Sequence, residues 1–100
     1  RREALLDVVL RRERGRELYT RNCQNCHGEN GIVAPAMENL KPAPKHFRDR
    51  LYDPGYLVQV IRKGRPGTAM VGYASLSDRD VEDLATYGSS LFDPKLYKEE

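Results

Sequence analysis

Apolar positions along this chain recur at helical spacing rather than strand spacing. In residues 3–10, Glu-Ala-Leu-Leu-Asp-Val-Val-Leu, the side chains of Leu6, Val9 and Leu10 share one helical face. A charged stretch from Arg11 to Arg14 follows, and residues 15–22 resume the pattern with Leu18 and Tyr19. Gly15 costs a helix interior about 1 kcal/mol relative to alanine. The pattern therefore allows one helix over 3–22, or a break at Gly15, and a glycine kept there also fits a close helix–helix contact. A second stripe, Tyr56, Leu57, Val60 and Ile61, opens with Asp53 as N-cap and Pro54 at the first helical position. It closes with Arg62, Lys63 and Gly64. A third, Val81, Leu84, Ala85, Gly88, Leu91 and Phe92, begins at the capping pattern Ser77-Asp78-Arg79-Asp80 and stops at Asp93-Pro94. No segment alternates with a period of two, so the expected class is all-α.

Between these helices lie two long irregular stretches. Residues 28–53 hold Gly28, Gly31, Pro35, Pro42 and Pro44, which excludes a long regular element. A loop of that length is rare in a small domain unless it serves a function. Wrapping around a cofactor is the expectation here. Residues 64–76 form a second, glycine-rich loop.

With 100 residues there is room for one domain, and its core is modest enough that a large buried cofactor would help hold it together. Apolar runs are four residues or shorter, far below the roughly 20 of a membrane span. No signal peptide is recognisable, and the opening Arg1-Arg2 without methionine reads as a mature product or part of a longer chain. The net charge of +2 conceals an asymmetry. Residues 41–65 carry seven basic and two acidic side chains, whereas residues 66–100 carry three basic and seven acidic. The basic middle suits cofactor carboxylates or an acidic partner. No basic run is interleaved with stacking aromatics, which argues against nucleic acid.

The chemistry concentrates in Cys23-Gln24-Asn25-Cys26-His27, which holds both cysteines of the chain. On a helical turn, positions i, i+3 and i+4 share a face. Two thiols so placed can add across the two vinyl groups of one haem while the histidine reaches its iron. Other uses fit less well. A disulfide would close too short a loop to gain much, a thioredoxin-like pair expects a βαβ setting, and adjacent Cys26 and His27 are poor tetrahedral partners for zinc. The sixth iron position has three candidates in Met37, Met70 and His46, unless it stays open. Met70 sits in a loop between two helices and can present its thioether inward. Met37, ten residues after His27, suits packing on the porphyrin, and His46 lies in a basic stretch suited to a carboxylate.

These residues resemble the class I cytochrome c family, specifically small bacterial monohaem members, over roughly residues 13–92. Gly15-Arg-Glu-Leu-Tyr19 resembles the family's first helix, and Leu84-Ala-Thr-Tyr87 with Leu91 its C-terminal partner. Pro35 in Val33-Ala-Pro-Ala-Met37 resembles the proline whose carbonyl accepts from the haem histidine, and Pro66-Gly-Thr-Ala-Met70 resembles the distal methionine loop. Val71 departs from the proline that often follows that methionine, though Tyr73 is family-like.

The resemblance implies the class I cytochrome c fold, three to four helices wrapped around one covalently bound haem c, with N- and C-terminal helices crossing. It implies thioethers to Cys23 and Cys26 and iron ligation by His27 and Met70. The implied function is one-electron transfer rather than catalysis, as a carrier or as the haem subunit or domain of a respiratory complex. A gas sensor or small peroxidase with a labile sixth ligand is the alternative. Residues 13–93 would form the cytochrome domain, 1–12 an extension or linker helix, and 94–100 a tail. Leu18, Ile32, Val33, Leu40, Leu57, Val60, Ile61 and Leu84 are expected around the haem. Arg65 or His46 is preferred for its propionates, over Lys41, Lys45, Arg48, Arg50 and Tyr52. Residues 32–34 and 71–73 would flank the exposed haem edge as an apolar contact patch. Implied partners are redox proteins (an oxidase, reductase or dehydrogenase) with acidic contact surfaces. The implied location is the periplasm or the outer face of the bacterial cytoplasmic membrane, free, tethered or within a membrane-associated complex.

Overall fold

The computed structural model describes residues 2–29, 31–33, 37, 39–40, 46–66, 68, 70 and 72–97. Among the described residues four α-helices follow one another as α1 (Arg2–Asn22), α2 (Gln24–His27), α3 (Pro54–Lys63) and α4 (Asp78–Ser90), with a 3₁₀ turn at Pro94–Leu96. Among the described residues there is no strand.

Helix α1 runs unbroken through Gly15 because that glycine is where α4 crosses it. An added Cβ would meet the Asp83 carbonyl and lie 2.8 Å from Tyr87 Cβ. Tertiary contact thus outweighs the local propensity penalty. Gly15, Leu18 and Tyr19 are the buried residues of α1, and residues 2–14 are all exposed. On the other side of the crossing, Val81, Leu84, Ala85 and Gly88 are buried on α4. Asp83 is buried with them at 2% exposure. Its carboxylate lies 4.0 Å from Arg11 and 3.9 Å from Arg79, which compensates the charge.

Helix α3 starts as its sequence dictates. The Asp53 carboxylate accepts from the Tyr56 N–H at 3.2 Å, and Pro54 occupies the first turn. It stops at Gly64, whose φ of +69° is a left-handed conformation, with its N–H donating to the Val60 carbonyl. Leu57 and Ile61 bury against α4. Each such fully buried aliphatic side chain contributes about 1.5–3 kcal/mol. Ser77 caps α4 by accepting from the Asp80 N–H at 3.1 Å. The helix ends at Ser90, so Leu91 and Phe92 lie just past it although the apolar stripe continues through them. There the Asp93 N–H donates to the Arg48 carbonyl and Arg48 Nη2 donates to the Asp93 carboxylate, tying the chain to the 46–50 segment.

Arg62 does more than complement the end of α3. Its guanidinium donates to the carbonyls of Tyr73, Ala74 and Leu76 and pairs with Asp78 at 2.6 Å. One side chain therefore holds the whole 73–78 connection against α3.

Candidate functional site

Side chains from all four helices and two loops line one apolar cavity, open to solvent at its mouth. Its walls are Tyr19 of α1, Leu57, Val60 and Ile61 of α3, Leu84 and Gly88 of α4, and Phe47 and Tyr52 from the long loop. Cys23, His27 and Met70 also line it.

The His27 side is built from hydrogen bonds local to the motif. Cys23 caps α2, and its carbonyl accepts from the N–H groups of both Cys26 and His27. The Tyr19 hydroxyl, buried beneath, donates to the Gly28 carbonyl at 2.7 Å and fixes the turn that follows His27. Gly28 has φ +87° and no room for a side chain, since an added Cβ would run into the Ile32 carbonyl. Phe47 stacks on the His27 imidazole with ring centroids 4.7 Å apart, and its own N–H donates to the Gly31 carbonyl. The imidazole plane is thereby held by an aromatic neighbour. Burial pushes the Cys23 thiol up to about 12, with Cys26 adding to it. Such a thiol stays protonated, unlike the activated thiolate of a redox pair. Both cysteines are free of disulfide bonding. Among the described residues no group of three or more His, Cys, Asp or Glu is arranged to hold a metal ion alone.

Met70 is presented by a self-closed loop. The Arg65 N–H donates to the Met70 carbonyl at 3.2 Å. Thr68 donates to the Arg65 carbonyl through both its N–H and its hydroxyl, the latter at 2.6 Å. The same hydroxyl oxygen accepts from the Met70 N–H at 3.2 Å. The loop is anchored beyond Met70 by the Tyr73 N–H, which donates to the Ile61 carbonyl, and by the Tyr73 hydroxyl, which donates to the Asn22 carbonyl at 2.9 Å. Burial raises the Tyr73 hydroxyl above its ordinary value, with the two cysteines contributing, so it remains a donor.

Of the residues singled out from sequence, Cys23, His27, Met70 and Arg65 converge on this cavity, while Cys26 is half-buried in α2 outside its lining. Met37 and His46 do not line it. His46 Nδ1 instead accepts from the Val33 N–H at 3.0 Å, so this ring braces the loop. Arg65 stands at the mouth with its guanidinium 3.4 Å from the Tyr56 hydroxyl, and Tyr56 stacks on Tyr52. Pro35 lies outside the described residues, as do Ala34, Lys41, Lys45 and Val71. Of the expected apolar shell, Leu18, Val33, Leu57, Ile61 and Leu84 are buried and Val60 is half-buried. Ile32 and Leu40 face solvent instead. Thr68, Phe47 and Arg62 were not legible as site-forming residues. The turn signal Gly-Thr near Met70 was the one hint for Thr68.

The donor set and the walls fit a haem. An imidazole and a thioether share one apolar cavity with a thiol beside the imidazole, and aromatic and aliphatic groups form the rest.

Residues 11–87 match the family model described as Cytochrome C oxidase, cbb3-type, subunit III. A cbb3-type cytochrome c oxidase subunit CcoP of Azospirillum brasilense is 39% identical over 83 residues, covering 79% of this chain and 28% of the relative. Cytochrome c6 of Cyanidium caldarium is 29% identical over 76 residues, 75% of this chain and 66% of the relative. This chain therefore spans under a third of the CcoP relative and about two thirds of the cytochrome c6. A chain of the Kuenenia stuttgartiensis reducing HAO-like protein complex shares the fold with a TM-score of 0.72 at 21% identity, over 87% of this chain and 45% of that one. The chain belongs to the family of cbb3-type cytochrome c oxidase subunit III, as a class I cytochrome c domain carrying one haem c for electron transfer.

Proposed function

We propose that this chain is the electron-transferring haem c domain of a cbb3-type oxidase subunit or a related respiratory complex, working on the periplasmic side of the membrane, in which His27 and Met70 would hold the iron and Cys23 and Cys26 would anchor the haem covalently. The observation that carries the reading is that His27 and Met70 line one apolar cavity whereas Met37 and His46 do not.

When bound, a haem would supply an iron able to take up and release one electron. The chain's own groups set the terms of that exchange. His27 is held by the stacked Phe47 and by the Gly28 turn beneath it, so its orientation does not depend on the iron's charge. Such outer contacts orient a ligand and tune its basicity. Met70 is held by the Thr68 hydroxyl and the Arg65 backbone. Histidine–methionine ligation raises the reduction potential. The apolar walls of Leu57, Val60, Ile61 and Leu84 exclude water and disfavour the extra positive charge of ferric iron. Arg65, beside the Tyr56 hydroxyl at the mouth, is placed to meet carboxylates at the cavity edge. On the family resemblance alone, Pro35 is assigned the role of carbonyl acceptor for the His27 imidazole, and an acidic face on the redox partner is assigned to meet the basic middle of the chain.

The test is the ferric absorption spectrum of the haem-loaded protein. The wild type is expected to show the near-infrared sulfur–iron band and, when ferrous, to leave added carbon monoxide unbound. Met70→Ala is expected to lose the band and bind carbon monoxide. A wild type without the band that binds carbon monoxide would overturn Met70 ligation and favour a sensor or peroxidase.

A further inference from the structure

We propose that the face of α1 turned away from α4 pairs antiparallel with the same face of a second copy of this chain.

The inference begins with an imbalance in α1. Gly15, Leu18 and Tyr19 bury against the body, yet the first half of the helix exposes five large apolar side chains in six residues. Leu5 is 70% exposed, Val8 63%, and Leu6, Val9 and Leu10 56% each. Isolated exposed apolar residues need no account, whereas a cluster with charges of opposite sign at its two ends is a candidate for a small contact surface.

The spacing selects the partner. Arg2, Leu6, Val9 and Glu13 follow one another at intervals of four, three and four, which places them in a row on one helical face. At 100° per residue that row lies opposite Gly15, Leu18 and Tyr19. Read against itself in reverse, the row is complementary. Leu6 meets Val9 of the second copy, and Arg2 meets Glu13 of the second copy. A two-fold axis repeats each pair, giving an apolar centre closed at both ends by opposite charges. Leu5 and Leu10 flank the centre on either side. Within its own helix Glu13 lies 3.8 Å from Arg16, so in the pair its carboxylate would sit between two guanidinium groups.

Read in parallel, the same row would set Arg2 against Arg2 and Glu13 against Glu13, which like charges oppose. An anionic lipid surface fits less well, because Glu13 lies within the row and Glu17 beside it, offsetting Arg12 and Arg16 on the other flank. The patch is about 18 Å long and 10 Å wide. That is short of the roughly 800 Å² per partner of a standard interface. Association is therefore weak and dependent on protein concentration.

Sedimentation velocity of the haem-loaded chain over a concentration series up to millimolar tests this. The wild type is expected to move reversibly from monomer to dimer. Leu6→Asp is expected to abolish the shift. Arg2→Glu and Glu13→Arg are each expected to move the midpoint up by roughly three- to tenfold, and the double variant to bring it back. All three positions are solvent-exposed, and an unchanged haem spectrum with unchanged helical circular dichroism confirms that each variant folds. A wild type that stays monomeric throughout would overturn the proposal. So would a double variant no better than either single one, or adsorption to phosphatidylglycerol vesicles without self-association.

Discussion

Gly15 on α1 faces the Asp83 carbonyl and Tyr87 on α4 with no space for a methyl group between them. The contact joins the two ends of the chain over 68 residues of separation by number, and it makes a firm prediction. Gly15→Ala gains about 1 kcal/mol of helix propensity. The added Cβ meets backbone rather than the end of a flexible side chain, and overpacking of that kind costs about 1–3 kcal/mol. Urea unfolding of the haem-loaded protein should show net destabilisation by Gly15→Ala and a larger loss for Gly15→Val. An unchanged midpoint for the valine variant would mean the helices can separate freely.

Thr68 acts on Met70 without touching the cavity. Its hydroxyl accepts from the Met70 N–H and donates to the Arg65 carbonyl. Thr68→Val keeps the shape and removes both bonds, a loss of about 0.5–1.5 kcal/mol for each. The expected outcome is a weakened sulfur–iron band and measurable carbon monoxide binding, with helix content intact. Thr68→Ser should restore the wild-type spectrum.

Arg62 gives a prediction about the loop as a whole. It donates to three carbonyls and pairs with Asp78. Arg62→Gln is expected to destabilise the protein by about 2–3 kcal/mol, since hydrogen bonds from a charged donor contribute about 1.5–3 kcal/mol each and part of the site is solvated. Hydrogen exchange at the Tyr73 amide, which donates to the Ile61 carbonyl, should accelerate more than exchange within α4.

Acid should weaken the α1–α4 crossing. The Asp80 carboxylate accepts from Arg14 at 2.6 Å, and this hydrogen bond is the main reason its pKa lies below the ordinary 3.8. A carboxyl held lower in the folded state than in the unfolded chain stabilises the fold above the unfolded value. That contribution is lost as pH falls through the folded value. Thermal unfolding followed from pH 6 downward should therefore show a decline below about pH 4. Asp80→Asn should flatten part of that decline while leaving the neutral-pH midpoint slightly lowered.

Much of the fold was legible because its signals are local. Asp53-Pro54, Gly64 and Ser77 mark helix ends through backbone chemistry that acts within four residues, and the structure places those ends there. The attachment motif is equally local. Gly15 was ambiguous for the opposite reason, since propensity alone argues for a break and only the approach of α4 removes it. Arg62 and Thr68 were missed as organising residues. An arginine near a helix end has a sufficient local explanation in the helix dipole, and nothing in its neighbours indicates that carbonyls 11 to 14 residues later turn back to it. His46 reads from sequence as an iron ligand or a carboxylate partner. Its bond to the Val33 N–H spans 13 residues of loop that carry no periodicity to read.

The cavity draws its lining from every α-helix of the fold. Each helix therefore completes its packing through a surface shared with the cofactor. A molecule that never receives its haem keeps those surfaces without a filling, and its helices are held by the α1–α4 and α3–α4 contacts alone. Loading the cofactor should therefore stiffen all the helices together, so proteolytic resistance is expected to rise with haem content.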